Sequence, residues 1–185
     1  MANTGERSPQ AQSDFSSNGA NAIDSNESTT ASQIHLNTNA KIGFVSDFDG
    51  DDIPSGATIN GIKVIFRGFY SLSFADTKIT IGVSLDGVSG TYSSNAAFQN
   101  LTTSAADYNF GGDDELWGLD WTDWTDLSDL AIKITSDQQD ASAATAITFI
   151  NEVDAIIYYT EVVSPKSRVE IKGTLKVLSG QVTIK

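Results

Sequence analysis

The sequence predicts an all-β protein, an antiparallel β-sandwich of jelly-roll type with an extended N-terminal arm and a C-terminal arm of strand character. Three observations predict it. Apolar residues make up 39% of the chain and charged residues only 19%, with Ser, Thr, Asn, Asp and Gly filling much of the rest, as in proteins built of short strands and polar turns. Several stretches alternate apolar and polar residues with period two. About eight such stretches fall between residues 34 and 160, without helical spacing.

A length of 185 residues suits one domain of ordinary size with an arm or two. The net charge of −13 and a pI near 4.2 argue against nucleic acid as a partner, because neutralising phosphates needs clustered Lys and Arg. The absence of cysteine excludes a disulfide framework and a thiolate zinc site and does not indicate a compartment. Met1 is followed by A-N-T-G-E-R rather than a basic and then apolar run, and no window approaches 18 apolar residues. Neither a signal peptide nor a membrane span is therefore predicted, and a soluble protein is expected.

Residues 1–32 hold little that is large and apolar beyond Phe15 and Ile23, too little to order an independent core, so any order there must come from the neighbouring domain. Strand character begins with Ile34, His35 and Leu36 and resumes at 42–45 after the turn-prone N-T-N. His35 is the only histidine, and a cross-strand surface position suits it better than a catalytic or metal role. Asp47, Asp49, Asp51 and Asp52 then put four carboxylates in six residues, either a solvated turn or a calcium loop. The glycine sits at the fourth place rather than the sixth, and Thr58 stands where a bidentate Glu belongs. This is not an EF-hand, and the solvated turn is preferred.

Strands are predicted near 40–45, 58–70, 77–85, 130–136 and 147–159. Their core faces carry Ile62, Val64, Phe66, Ile79, Ile81, Val83, Ile132, Ile134, Val153, Ala155 and Ile157. Asp86-Gly87 reads as a hairpin-type turn, and residues 88–109 read as short strands or a long excursion anchored by Tyr92, Phe98, Leu101 and Tyr108.

Residues 110–130 hold all three tryptophans and seven of the 24 acidic residues. Trp117, Trp121 and Trp124 would share one face of a helix, but Gly111, Gly112, Gly118 and the many Thr and Asp residues disfavour a long one. A glycine-kinked loop closing in one helical turn is predicted. The rings serve either as plugs at the open end of the sandwich or, with Tyr92 or Tyr108, as a sugar platform. The plug is preferred, because large aromatics usually bury their area.

Ser164-Pro165 breaks the pattern. Residues 161–185 carry five Lys or Arg against two Glu, net +3, whereas residues 1–160 carry six against 22, net −16. Val169, Ile171, Leu175, Val177, Val182 and Ile184 alternate with polar residues, and a lone hairpin is marginal in water. The segment is expected to pair outside its own globule by strand addition, with Lys166, Arg168, Lys172 and Lys176 near acidic groups of a neighbour.

Four stretches in order, N-G-A-N-A-I-D-S-N-E-S-T-T-A at 18–31, I-P-S-G-A-T-I-N-G-I-K-V at 53–64, F-G-G-D-D-E-L-W-G-L-D-W-T at 110–122 and V-D-A-I-I-Y-Y-T at 153–160, resemble small β-sandwich proteins of tailed bacteriophages. The resemblance covers about 18–159 and leaves out 161–185. It implies a jelly-roll module of a virion, a capsid decoration protein or a tail or fibre component, with no fixed catalytic set.

The domain organisation expected is a polar arm at 1–32, partly packed on a sandwich at 33–160, and an assembly arm at 161–185. The leading function is a structural virion protein that binds other capsid or tail proteins through its arms, as a homo-oligomer and, by the family resemblance, a trimer. The alternative is a glycan-binding module for host attachment using Trp117, Trp121 and Trp124. An enzyme is disfavoured, since one histidine, no cysteine and no nucleophile or phosphate-loop motif leave only an unspecified carboxylate pair. No cofactor is expected apart from the calcium candidate, and no membrane partner.

Overall fold

The structure, a computed structural model, describes residues 1–24, 28–36, 40–48, 53–71, 77–93, 98–121, 127–138 and 145–161. Among the described residues, ten strands form two five-stranded sheets whose pairings are all antiparallel. The first holds β1 (Ala2–Asn3), β3 (Ala31–Leu36), β5 (Thr58–Tyr70), β8 (Ala106–Gly111) and β10 (Thr145–Thr160). The second runs in the order β2 (Pro9–Ser13), β4 (Lys41–Phe48), β9 (Ala131–Gln138), β6 (Thr77–Ser84) and β7 (Phe98–Asn100). The all-β class and the five principal strands follow the sequence prediction to within a few residues at each end.

The longest strand, β10, organises the first sheet. It pairs with β5 on one side and with β3 and then β1 along the other. Its register with β5 shifts between Ile150 and Glu152, and the extra residue there lets both Ile150 and Val153 face the core although they stand an odd number of positions apart. All eleven residues assigned to the core from alternation are fully buried. The same cluster also takes in Tyr70, Tyr108 and Phe110, which continue the alternation of β5 and β8, and Phe48, Leu127 and Leu130.

Residues 1–24 give a strand to each sheet. Their order comes mainly from backbone pairing: Thr4 N donates to Ile157 O at 3.1 Å, and Arg7 and Ala155 exchange bonds of 2.9 and 3.0 Å. β2 then crosses to the edge of β4, pairing Ala11 with Ser46 and Ser13 with Phe44. A polar segment with few apolar anchors is thus held by the strand edges it satisfies. Among the described residues, no helix is long and apolar enough to cross a membrane.

Candidate functional site

The tryptophan loop closes the end of the first sheet from within. Trp117 is 2% exposed and Trp121 7%. Trp117 Nε1 donates to Ile62 O at 3.0 Å, Trp121 Nε1 donates to Leu116 O at 2.9 Å, and Ile62 N donates to Glu115 O at 3.0 Å. Two glycines permit this approach. A Cβ on Gly61 would collide with the Gly112 carbonyl, and Gly111, at φ 73°, lies where a Cβ would meet Ile62 O and the Trp117 indole. Trp117 itself stands at φ 58°, a strained conformation for a bulky residue, held by its amide donating to Glu115 Oε1 at 2.7 Å and by the burial of its ring. The loop closes in a single 3-10 turn, Leu127–Asp129, before β9. A sugar platform on Trp117 and Trp121 does not survive this geometry, because neither ring offers a face to solvent. Trp124 lies outside the described residues.

The outward face of the first sheet carries a stacked pair of rings, Phe69 and Phe149, at 4.8 Å between centroids, and beside it a row of charges paired with one another. Asp107, Arg67 and Glu152 align across β8, β5 and β10. Arg67 Nε donates to Asp107 Oδ1 at 2.6 Å, Nη2 to Asp107 Oδ2 at 3.2 Å, and Nη1 to Glu152 Oε2 at 2.5 Å. The hydrogen bond from Arg67 holds the Asp107 carboxyl below its ordinary value. One row along, Asp154 is 2% exposed and accepts a hydrogen bond from Ser8 Oγ at 2.8 Å. Burial raises its pKa from an ordinary 3.8 to about 6; the Ser8 bond opposes the rise, Glu152 and Glu6 add to it, and Arg67 opposes it. The N-terminal segment covers Asp154 through Ser8, while Asp107 at the other end of the charged row stays half exposed.

The outward face of the second sheet is open. Ile42, Thr135, Thr80 and Phe98 form one cross-strand row over β4, β9, β6 and β7, spanning roughly 14 Å at about 4.8 Å per strand. Phe98 is 60% exposed and Ile42 44%. The adjacent row runs Phe44, Lys133, Gly82, and over Gly82 lies Tyr92, whose Cβ would touch an added methyl there at 3.4 Å. The loop carrying Tyr92 is pinned by Ser93 N donating to Val83 O at 2.8 Å and by Tyr92 Oη donating to Val88 O at 3.0 Å. Phe44 and Tyr92 meet at 5.7 Å between ring centroids, and burial pushes the Tyr92 phenol up to about 12, so it remains a neutral hydrogen-bonding group. Lys133 Nζ stands 4.9 Å from the Tyr92 ring, and Lys78 Nζ 4.9 Å from that of Phe98. A third row, Asp137, Lys78 and Asn100, completes the face.

Of the residues singled out from sequence, Tyr92 lies on this surface, whereas Tyr108 is buried in the core with its hydroxyl accepting from Thr102 N at 2.8 Å. Asp47 is the penultimate residue of β4, exposed and at φ 61°. Asp49, Asp51 and Asp52 lie outside the described residues, as do Lys166, Arg168, Val169, Ile171, Lys172, Leu175, Lys176, Val177, Val182 and Ile184. Among the described residues no group of three or more His, Asp or Glu is placed to hold a metal. His35 stands in β3 opposite Ala146. Phe44, Lys78 and Lys133 are not singled out by the sequence, and Phe98, expected there as an anchor, stands 60% exposed. The signal for them was alternation itself, which turns Phe44, Lys78, Thr80, Lys133 and Thr135 outward between buried neighbours.

No protein-family model matches the chain, and a search of curated proteins finds no match. Among solved structures, it is similar to the family 32 carbohydrate-binding module of C. perfringens NanJ in complex with galactose, at 16% identity and a TM-score of 0.45, covering 82% of this chain and 98% of that one. It is also similar to the CBM32 of AlyQ in complex with 4,5-unsaturated mannuronic acid, at 17% identity and a TM-score of 0.42, covering 81% and 96%. A third similarity is to the enzymatically active domain of bacteriophage CBA120 tailspike protein 4, at 10% identity and a TM-score of 0.40, covering 86% and 19%. At such identities and TM-scores, none of these likenesses bears on what this chain binds.

Proposed function

We propose that the chain is a non-catalytic glycan-binding module whose site is the outward face of the second sheet. The observation that carries the reading is the row Ile42, Thr135, Thr80, Phe98 with Tyr92 and Phe44 beside it: aromatic rings spaced among hydroxyls and ammonium groups on an open, sheet-backed surface. A sugar ring has apolar C–H faces and a polar hydroxyl rim, so it suits aromatic stacking with hydrogen-bonding groups between. A contiguous apolar patch would favour a protein partner instead. The test is affinity electrophoresis of the full chain through gels holding neutral and acidic polysaccharides. Retardation in at least one gel, lost on Phe98→Ala at unchanged melting temperature, is expected; a chain that runs unretarded in all of them overturns the reading.

A second reading is favoured by the charge difference between residues 161–185, net +3, and residues 1–160, net −16. In it the module is a virion component whose basic C-terminal segment docks on acidic neighbours, in homo-oligomers or against other capsid or tail proteins. Detection of the chain in purified phage particles, and its loss on deleting 166–185, tests it.

A further inference from the structure

We infer that the ligand of this face is an extended segment of an acidic polysaccharide, with carboxylates meeting Lys78 and Lys133; this rests on the glycan-binding reading and names its substrate class. Residues 1–160 contain only six Lys or Arg against 22 acidic residues, yet two of the six stand together on this one face. Neither makes an ion pair among the described residues. Each ammonium rests over an aromatic ring, Lys78 over Phe98 and Lys133 over Tyr92, at 4.9 Å. On the first sheet, by contrast, Arg67 is fully engaged by Asp107 and Glu152. A cation over a ring positions charge and stacking surface at one spot, which is what a uronate offers in return, with a carboxylate on the rim of a stackable ring.

The spacing sets the length. Lys78 and Lys133 lie on adjacent strands and, by register, four residues apart along them, which places their Cα atoms roughly 14 Å from each other at about 3.3 Å per residue and 4.8 Å per strand. One acidic sugar cannot reach both; a chain of several can. Asp137, opposite Lys78, adds one carboxylate to the face and leaves its local balance positive, while the rest of the chain's negative charge is screened beyond about 8–10 Å at physiological salt. The chain's own residues 161–185, with five cations, are mismatched to this surface in charge.

The experiment is calorimetric titration of the full chain with oligogalacturonates of one to six residues and with the same oligomers methyl-esterified, which keeps the ring and removes the charge. Affinity should rise with length beyond two or three residues, and esterification should weaken it roughly three- to tenfold, as expected for two exposed ion pairs. Lys78→Gln and Lys133→Gln should each remove part of that preference and the double variant all of it, whereas Lys63→Gln, on the other sheet, should leave it unchanged. Equal affinity for esterified and free oligomers, or a single uronate bound as tightly as the hexamer, overturns the acidic-polymer inference and leaves glycan binding standing. Absence of binding to every oligomer, together with unretarded migration in all the polysaccharide gels, overturns both.

Discussion

The tryptophan loop and the outward face of the second sheet both gather aromatic residues, and they use their rings in opposite ways. In the loop, Trp117 and Trp121 turn inward, and their indole nitrogens donate to the backbone carbonyls of Ile62 and Leu116. On the sheet, Phe98 and the half-buried Tyr92 and Phe44 turn outward, with lysines over two of the rings and threonines between them. The density of aromatics in sequence marks the structural region. The proposed binding surface is assembled from single rings on β4, on β7 and in the loop after β6.

Mutations should separate the two regions by what they damage. Trp117→Ala removes the largest fully buried side chain and its bond to Ile62 O, and should cost about 3–5 kcal/mol in a denaturant melt, with binding failing only as the fold fails. A variant that melts like the parent would show that the loop is not a plug. Next in size is Arg67→Met, which leaves Glu152 buried without its cation and should cost about 1–3 kcal/mol without touching glycan affinity. Loss of binding in that variant would mean that the two faces are coupled.

Asp154 tests the first sheet more gently. Its folded pKa, about 6, lies above the ordinary 3.8, so the folded state holds the proton more tightly than the unfolded chain. Its contribution to stability is full below about pH 4 and is lost as pH rises through about 6. Asp154→Asn, which can still accept from Ser8, should therefore flatten that part of the pH profile and raise the melting temperature at pH 7. A lower melting temperature at pH 7 would show the charged form to be the stabilising one. The smallest effect on stability belongs to Phe98→Ala, expected within about 0.5 kcal/mol of the parent because the ring is mostly in water. Its large effect should be on binding alone.

Much of the fold was legible in the chain because period-two alternation reports directly on a face buried against a core. Ile79, Ile81 and Val83, or Ile132 and Ile134, have one place to go. The strands at 2–3 and 9–13 were not legible, since their order lies in hydrogen bonds to the edges of β10 and β4 and not in their own side chains. The site was hidden for a related reason. Alternation turned Lys78, Thr80, Lys133 and Thr135 outward, but which outward residues become neighbours depends on strand order, and β9 lying between β4 and β6 is a long-range fact. The loop 110–121 drew the eye because its composition is unusual, and that composition serves tight packing around Gly61 and Gly111.

The most direct test is chemical-shift mapping of the labelled full chain during titration with an oligogalacturonate hexamer. The shifts should move along 42–44, 78–82, 98–100 and 133–137, with Tyr92 among them, and should stay still from 111 to 121. Movement concentrated in the tryptophan loop, with the second sheet unchanged, would contradict the account.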